Sequence, residues 1–365
     1  VSGAATVLVM AGGTGGHIFP GLAVADALRR EGANVHWLGA AGGMECEKVP
    51  ARGYTVDEIH VTGLRGKGLA GWLKLPFRLA RAVGEARGVL RRHRPDCAVS
   101  FGGYVAGPGG IAARLGGVPL VVHEQNRIPG MTNRALAKVA ATVFEAFPGT
   151  FPATMGAVAC GNPVRDELVA VPPPAERWAG REGPARLLVT GGSQGARSLN
   201  EAVPAALAQV PADRRPVVRH QAGRNNAEDT QARYREAGID AEVTPFIEDM
   251  AEAYGWADAV VCRSGALTVS ELAAVGLGAV LVPFPHAVDD HQTANAGYLV
   301  DAGAAVLCPE ATLTPETLVT ALAPLLLDRA AALDMAQKAR AVAVTDAAER
   351  VARACLEHSE RRAAA

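Results

Sequence analysis

The chain has 365 residues, 49% hydrophobic and 20% charged, so it can bury a substantial core and wholesale disorder is excluded. Its 36 Lys and Arg against 37 Asp and Glu give a net charge of −1, which disfavours a nucleic-acid binder with a basic surface. The length predicts two domains at roughly 150 residues each, and 41 glycines predict many tight strand-to-helix turns.

In chain order, the first apolar run is residues 6–10 (TVLVM), which enters Gly12-Gly13-Thr14-Gly15-Gly16-His17 and then a helical stretch from Leu22 to Arg30. Without a basic leader or a cleavage site, the run reads as a strand rather than a signal peptide. Four glycines in five positions exceed what a turn requires. Small residues let a backbone approach a ligand closely, and a helix N-terminus favours an anion. His17 reads equally as a general base on a ligand loop and as a cap or core residue.

Residues 64–94 hold nine Lys or Arg and one Glu. Leu69, Trp72, Leu73, Leu75, Phe77 and Leu79 interleave there with Lys67, Lys74, Arg78 and Arg81. That pattern suits an anionic membrane surface; the plainer alternative is a helix whose cations snorkel over its core face. The string at 66–71 (GKGLAG) matches G-x-G-x-x-G but lacks a preceding strand and a distal acid, so it is discounted as a dinucleotide site. The run 97–101 (CAVSF) enters Gly102-Gly103. Residues 171–174 (VPPP) and the polar stretch to 185 predict an interdomain linker.

The second half repeats the same grammar. Residues 187–190 (LLVT) enter Gly191-Gly192-Ser193-Gln194-Gly195, and residues 259–262 (AVVC) enter Arg263-Ser264-Gly265. Apolar runs without alternation predict parallel strands covered on both faces, and strand, glycine turn, helix is the order of a doubly wound α/β sheet. The stretch 263–271, which includes Ala266, Leu267, Thr268, Val269 and Ser270, follows a strand and opens a helix, and its backbone amides can hold a diphosphate. Glu271, one turn in, can accept two hydrogen bonds from a ribose. Thr268-x-x-Glu271 is equally a capping box, and spacing alone leaves both readings open.

His286, Asp289, Asp290 and His291 crowd one loop, but close spacing with no other clustered His disfavours a metal site. Neither D-x-D nor a P-loop occurs. Residues 314–358 are rich in Ala and Leu and predict helix. The halves differ in charge: residues 1–165 hold 18 Lys/Arg against 10 Asp/Glu, and residues 166–365 hold 18 against 27, so they should meet different partners. Cysteines at 46, 97, 160, 262, 308 and 355 form no C-x-x-C pair, which argues against a zinc site or disulfide framework and predicts a reducing compartment. No run of about 18 apolar residues predicts a spanning helix.

Six stretches resemble, in order and spacing, the MurG family of bacterial glycosyltransferases, which make lipid II. They are residues 12–20 (GGTGGHIFP), 102–110 (GGYVAGPGG), 123–126 (HEQN), 161–165 (GNPVR), 191–197 (GGSQGAR) and 263–271 (RSGALTVSE). The resemblance covers almost the whole chain. It implies an α/β GT-B fold of two Rossmann-like, doubly wound domains separated by a cleft. Residues 1–164 would face acceptor and membrane, a C-terminal helix at about 343–365 would pack back on them, and residues 165–342 would bind UDP-GlcNAc.

The implied activity is inverting transfer of N-acetylglucosamine from UDP-GlcNAc to the C4 hydroxyl of MurNAc in lipid I, undecaprenyl-pyrophosphoryl-MurNAc-pentapeptide. It would take place at the cytoplasmic face of the plasma membrane, on an anionic surface, without nucleic acid, metal or cofactor. By motif, Ile247 would meet uracil and Glu271 the ribose hydroxyls. Ser193, Arg165 and the amides of 266–268 would serve the nucleotide and diphosphate, and Gln292 and Asn126 the sugar. Thr14, Gly15 and Gly16 would close over the donor, and His17 is the first choice of base ahead of Glu124, His123 and Tyr104. Family members often carry paired Gln where this chain has His291-Gln292, which puts sugar contacts at 291 in question. A UDP-GlcNAc 2-epimerase of the same fold, and a non-catalytic UDP-sugar-binding protein, are the alternatives.

Overall fold

In the computed structural model, which describes residues 4–61, 75–192 and 194–363, the apolar runs become strands of two wholly parallel sheets. The first holds β1 (Thr6–Ala11), β2 (Asn34–Ala40), β3 (Val56–Ile59), β4 (Cys97–Gly102), β5 (Leu120–Glu124), β6 (Thr142–Glu145) and β7 (Val158–Ala159), ordered β3-β2-β1-β4-β5-β6-β7. The second holds β8 (Arg186–Thr190), β9 (Val217–Gln221), β10 (Ala241–Thr244), β11 (Ala259–Cys262), β12 (Gly278–Leu281) and β13 (Ala305–Leu307), ordered β10-β9-β8-β11-β12-β13. Val9 pairs with Val99 across β1 and β4, and Val189 with Val261 across β8 and β11.

Each sheet reverses its winding at that central pair. A crevice opens there at the carboxyl ends of the strands, where open α/β sheets bind ligands. The glycine loop at 12–16 follows β1 and Gly103 follows β4; Gly191 follows β8 and Arg263 follows β11. All four loops singled out in the sequence therefore lie at the switch point of their own sheet.

The chain divides into two compact units, Val1–Arg165 with Thr345–Ala365, and Asp166–Val344. In the first, successive strand residues feed opposite cores, as the two-residue strand period requires. Val7 and Val9 pack with Ile18 and Leu22 of the helix Gly15–Arg30 and with Val351, Ala352 and Cys355 of the C-terminal helix Ala347–Ala363. Arg30 and Glu349 pair at 3.0 Å beside that contact. Leu8 and Met10 pack on the other face with Ala86, Val89 and Leu90 of the helix Leu75–His93. In the second unit one core gathers Leu187, Val189 and Val261 beneath Leu199, Val203 and Leu318.

The predicted linker at 171–185 is corrected: it belongs to the second unit. Residues Pro174–Trp178 form a short helix, and Trp178 enters the core with only 7% exposure. Arg177 donates to the carbonyls of Val275 and Gly276 at 2.7 and 2.8 Å, and Arg181 pairs with Asp258. The prolines extend the chain, but Trp178 and the two arginines strap it down; the division falls between Arg165 and Asp166.

The Ala- and Leu-rich tail forms Pro315–Leu326, Arg329–Ala341 and Ala347–Ala363, the first two capped by the side chains of Thr314 and Asp328. Among the described residues no helix is long and apolar enough to cross a membrane. The GKGLAG string, Lys67, Leu69, Trp72, Leu73, Lys74 and Ser193 lie outside the described residues.

Candidate active site

After β1 the chain turns through Gly12 and Gly13, and Thr14, with an extended backbone and no side-chain cap bond, occupies the N-cap position of the helix Gly15–Arg30. His17 stands one residue beyond Gly16, half-buried, and its Nδ1 lies 3.2 Å from the Gly12 carbonyl oxygen. Nδ1 also lies 3.4 Å from the Thr14 hydroxyl, which can accept or donate; the shorter contact is to a carbonyl, which only accepts, and it favours the tautomer with the proton on Nδ1 and Nε2 as the basic nitrogen. The β4 turn closes on the same place. Gly102 and Gly103 have φ of +100° and +86°, and a Cβ at Gly103 would lie 2.2 Å from the Gly12 oxygen, so only glycine permits this crossing. Tyr104 follows, 53% exposed.

His123 and Glu124 end β5 and are both buried. His123 donates from Nε2 to the Gly161 carbonyl at 2.9 Å, and its Nδ1 accepts from the Gln125 side-chain amide at 3.1 Å. Burial pushes its pKa down to about 4, so it stays neutral with both nitrogens committed. Glu124 accepts from the Asn126 backbone and side chain at 2.9 and 3.3 Å. It also accepts from Gly130 N and Asn133 Nδ2, each at 3.1 Å. Four donors on one carboxylate describe a brace for the loop that carries Asn126, with little acceptor capacity left for a substrate proton. Asn133, absent from the sequence reading, completes that brace by accepting from Ser100 at 3.0 Å.

In the second unit Arg263 is held between loops. It pairs with Glu310 at 2.5 Å and donates to the carbonyls of Val282 and Pro283 at 3.2 and 3.1 Å. The next helix is Ala266–Val275, and its N-cap is Gly265. Thr268 is therefore the third helical residue, and the capping-box reading of Thr268 and Glu271 is corrected. A capping box with both reciprocal bonds occurs instead at Thr314 and Thr317. Ala266, Leu267 and Thr268 supply the first-turn amides that a helix cannot satisfy itself. Val269 is buried against the core, while Ser270 and Glu271 are half-buried one turn in. Glu271 accepts from the Tyr254 hydroxyl at 3.4 Å.

Ile247 lies half-buried in the loop between β10 and the helix Met250–Trp256. Gln292 opens the helix His291–Asp301 with its side-chain oxygen accepting from Phe284 N at 2.9 Å. The preceding Asp289 and Asp290 both hold positive φ, so this loop is strained. Asn126 and Arg165 are half-buried in the first unit.

Among the described residues, one cluster of metal-ligating groups was not foreseen from the sequence. His36, Asp57 and His93 bring ligand atoms within 4.8 Å of one another from β2, β3 and the end of Leu75–His93. Asp57 already serves Arg92 and His93 Nε2, and the two rings stack at 3.8 Å and 25°. Near-parallel rings aim their nitrogens side by side rather than at one point. Burial, then the neighbouring His93, lowers the His36 pKa. The arrangement pins the helix end to the sheet.

Two wholly parallel sheets with glycine loops at each switch point define a two-domain nucleotide-type α/β protein, and comparison with known proteins gives the family. Residues 7–145 match the glycosyltransferase family 28 N-terminal domain, and residues 186–351 its C-terminal domain. A relative from Marinobacter nauticus is 57% identical over 350 residues, 96% of each chain. It is a UDP-N-acetylglucosamine–N-acetylmuramyl-(pentapeptide) pyrophosphoryl-undecaprenol N-acetylglucosamine transferase. A transferase of the same name from Alkalilimnicola ehrlichii is 54% identical, over 97% of this chain and 99% of its own. The crystal structure of Acinetobacter baumannii MurG matches with a TM-score of 0.85 at 42% identity, covering 97% of this chain and 99% of that one. The chain belongs to glycosyltransferase family 28 and, within it, to the MurG family of N-acetylglucosamine transferases, with the GT-B fold. A UDP-GlcNAc 2-epimerase from Neisseria meningitidis, at 11% identity and TM-score 0.66 over 96% of this chain and 99% of its own, shares the fold alone.

Proposed function

We propose that this protein transfers N-acetylglucosamine from UDP-N-acetylglucosamine to N-acetylmuramyl-(pentapeptide) pyrophosphoryl-undecaprenol, lipid I, and so makes lipid II for peptidoglycan. The observation that carries the reading is the place of His17 at the switch point of the first sheet, with its Nδ1 3.2 Å from the Gly12 carbonyl oxygen, a contact that favours the tautomer in which Nε2 is basic. An α-linked donor giving a β-1,4 product requires inversion, hence one displacement, one base for the C4 hydroxyl and a place for the charge of departing UDP.

His17 is the base. His123 has no nitrogen to give, and Glu124 is saturated by donors. The amides at 266–268, with Arg165, take the diphosphate charge through the positive end of their helix. Glu271 binds the ribose hydroxyls, Ile247 the base through its backbone, and Gln292 and Asn126 the transferred sugar. Ser193, Thr14, Gly15 and Gly16 complete the donor contacts.

The acceptor is lipid-anchored, so the first unit works at the cytoplasmic membrane face. Phe77 is 80% exposed and Leu79 40% on the basic helix Leu75–His93, and Ile111 and Leu115 are exposed on the helix packed beside it, Ala106–Leu115. Incubating the protein with labelled UDP-GlcNAc, with and without a lipid I analogue, tests the reading. Label should move to the lipid, with UDP released only when acceptor is present. Acceptor-independent conversion to an isomeric UDP-sugar would establish the epimerase instead.

A further inference from the structure

Glu45 opens the short helix Glu45–Lys48 and is 0% exposed. Among the described residues no Lys, Arg or His forms an ion pair with it. Burying a carboxylate is unfavourable unless its oxygens are hydrogen-bonded, and here both are. Oε1 accepts from Ala40 N at 2.7 Å, at the end of β2, and Oε2 accepts from Gly13 N at 3.1 Å.

The space around this carboxylate is carved by glycines. A Cβ at Gly12 would lie 2.2 Å from Oε1, one at Gly43 2.5 Å from Oε2, and one at Gly39 2.8 Å from Cγ. Three separate positions thus give up a side chain so that one acid can reach the underside of the glycine loop.

The peptide plane it reaches is decisive. The Gly13 N–H and the Gly12 carbonyl belong to the same rigid peptide unit. Glu45 accepts from its N–H, and the His17 Nδ1–H donates to its oxygen at 3.2 Å. Acceptance by a carboxylate polarises the amide, which makes its carbonyl a stronger acceptor and supports the imidazole proton on Nδ1. A base oriented by a third group is the general logic of activated sites; here the orienting acid works through one peptide bond.

We infer that Glu45 is a positioning residue for the His17 base, acting through the Gly12–Gly13 peptide. The inference rests on the transferase reading given above. Glu45→Gln keeps shape and one acceptor but sets an NH2 group against a backbone N–H. With wild-type transfer established first, this variant should lose roughly 10–100-fold in turnover, part of a general base's usual contribution. Its UDP affinity by calorimetry should hold, and the acid limb of its kcat/KM profile should move to lower pH. In a His17→Ala background, Glu45→Gln should cost no further turnover, since residues acting as one unit are not additive.

If Glu45→Gln turns over like wild type, or if its effect multiplies fully with that of His17→Ala, the inference is overturned while the transferase reading stands. If wild type itself transfers nothing, it is the transferase reading that has failed. Should Glu45→Gln not fold, Gly43→Ala displaces the carboxylate without removing it, and the same loss and the same non-additivity with His17→Ala are expected; full additivity there overturns the inference as well.

Discussion

Three carboxylates near the glycine loops look interchangeable in a sequence, and their surroundings divide them. Glu271 has the Tyr254 hydroxyl at 3.4 Å, Glu124 is wrapped by four donors, and Glu45 is sealed beneath Gly12. Glu124→Gln should therefore act on stability. Losing charged acceptance at a buried brace costs about 1–3 kcal/mol, a melting temperature lower by a few degrees. An unchanged melting temperature with abolished transfer would make Glu124 the base after all. His17 and Glu271 were legible as candidates because each sits inside a local pattern, a glycine run or a helix start. Glu45 was not, because only the folding of β2 brings it under a loop far away in the chain. The capping-box alternative at Thr268 failed for a similar reason: the helix begins one residue after Gly265, which spacing alone does not reveal.

At the scale of elements, the helix Leu75–His93 changes character along its length. Ala82, Ala86, Val89 and Leu90 recur at helical spacing and are buried, whereas residues 76–81 are exposed. Snorkelling over a core face fits the second half of this helix, and exposed apolar groups among cations mark the first. Phe77→Ser with Leu79→Ser should weaken sedimentation with anionic liposomes even at high salt, because apolar burial is unscreened. Arg78→Glu with Arg81→Glu should weaken it mainly at low salt. Binding equal to wild type in both would place the membrane contact elsewhere. The central strands β1, β4, β8 and β11 were legible, since a run buried on both faces needs no partner to be recognised; half-exposed strands such as β3, β7 and β10 carry no such signal. The linker was misjudged because VPPP signals extended chain but says nothing of Trp178, four residues after Pro174, finding a core.

Across the whole molecule each unit has its own core and its own buried histidine. His123 in the first is held neutral by burial with a pKa pushed down to about 4, and His220 in the second to about 3. His220 accepts from the Tyr234 hydroxyl at 2.9 Å and donates to Asn200 at 3.0 Å, so it too is satisfied only as the neutral ring. Unfolded, both would protonate near 6.5. Their contribution is complete above that pH and is lost as pH falls towards 4 and 3, where only the unfolded chain binds the protons. Melting temperature should fall steadily from pH 7 to pH 4, and His220→Phe should flatten the slope; a curve that His220→Phe leaves unaltered would show that this ring does not set it.

The proposal divides the labour: His17 on the first unit moves the proton, and Glu271 on the second holds the nucleotide's ribose. Measuring turnover and UDP-GlcNAc affinity for His17→Ala and Glu271→Gln side by side tests it most directly. His17→Ala should lose about 10²–10⁴-fold in turnover with donor affinity near wild type. Glu271→Gln should lose donor affinity, by at least about tenfold for a charge-assisted bond of about 1.5–3 kcal/mol. Donor affinity lost in His17→Ala, or retained in Glu271→Gln, would contradict this division.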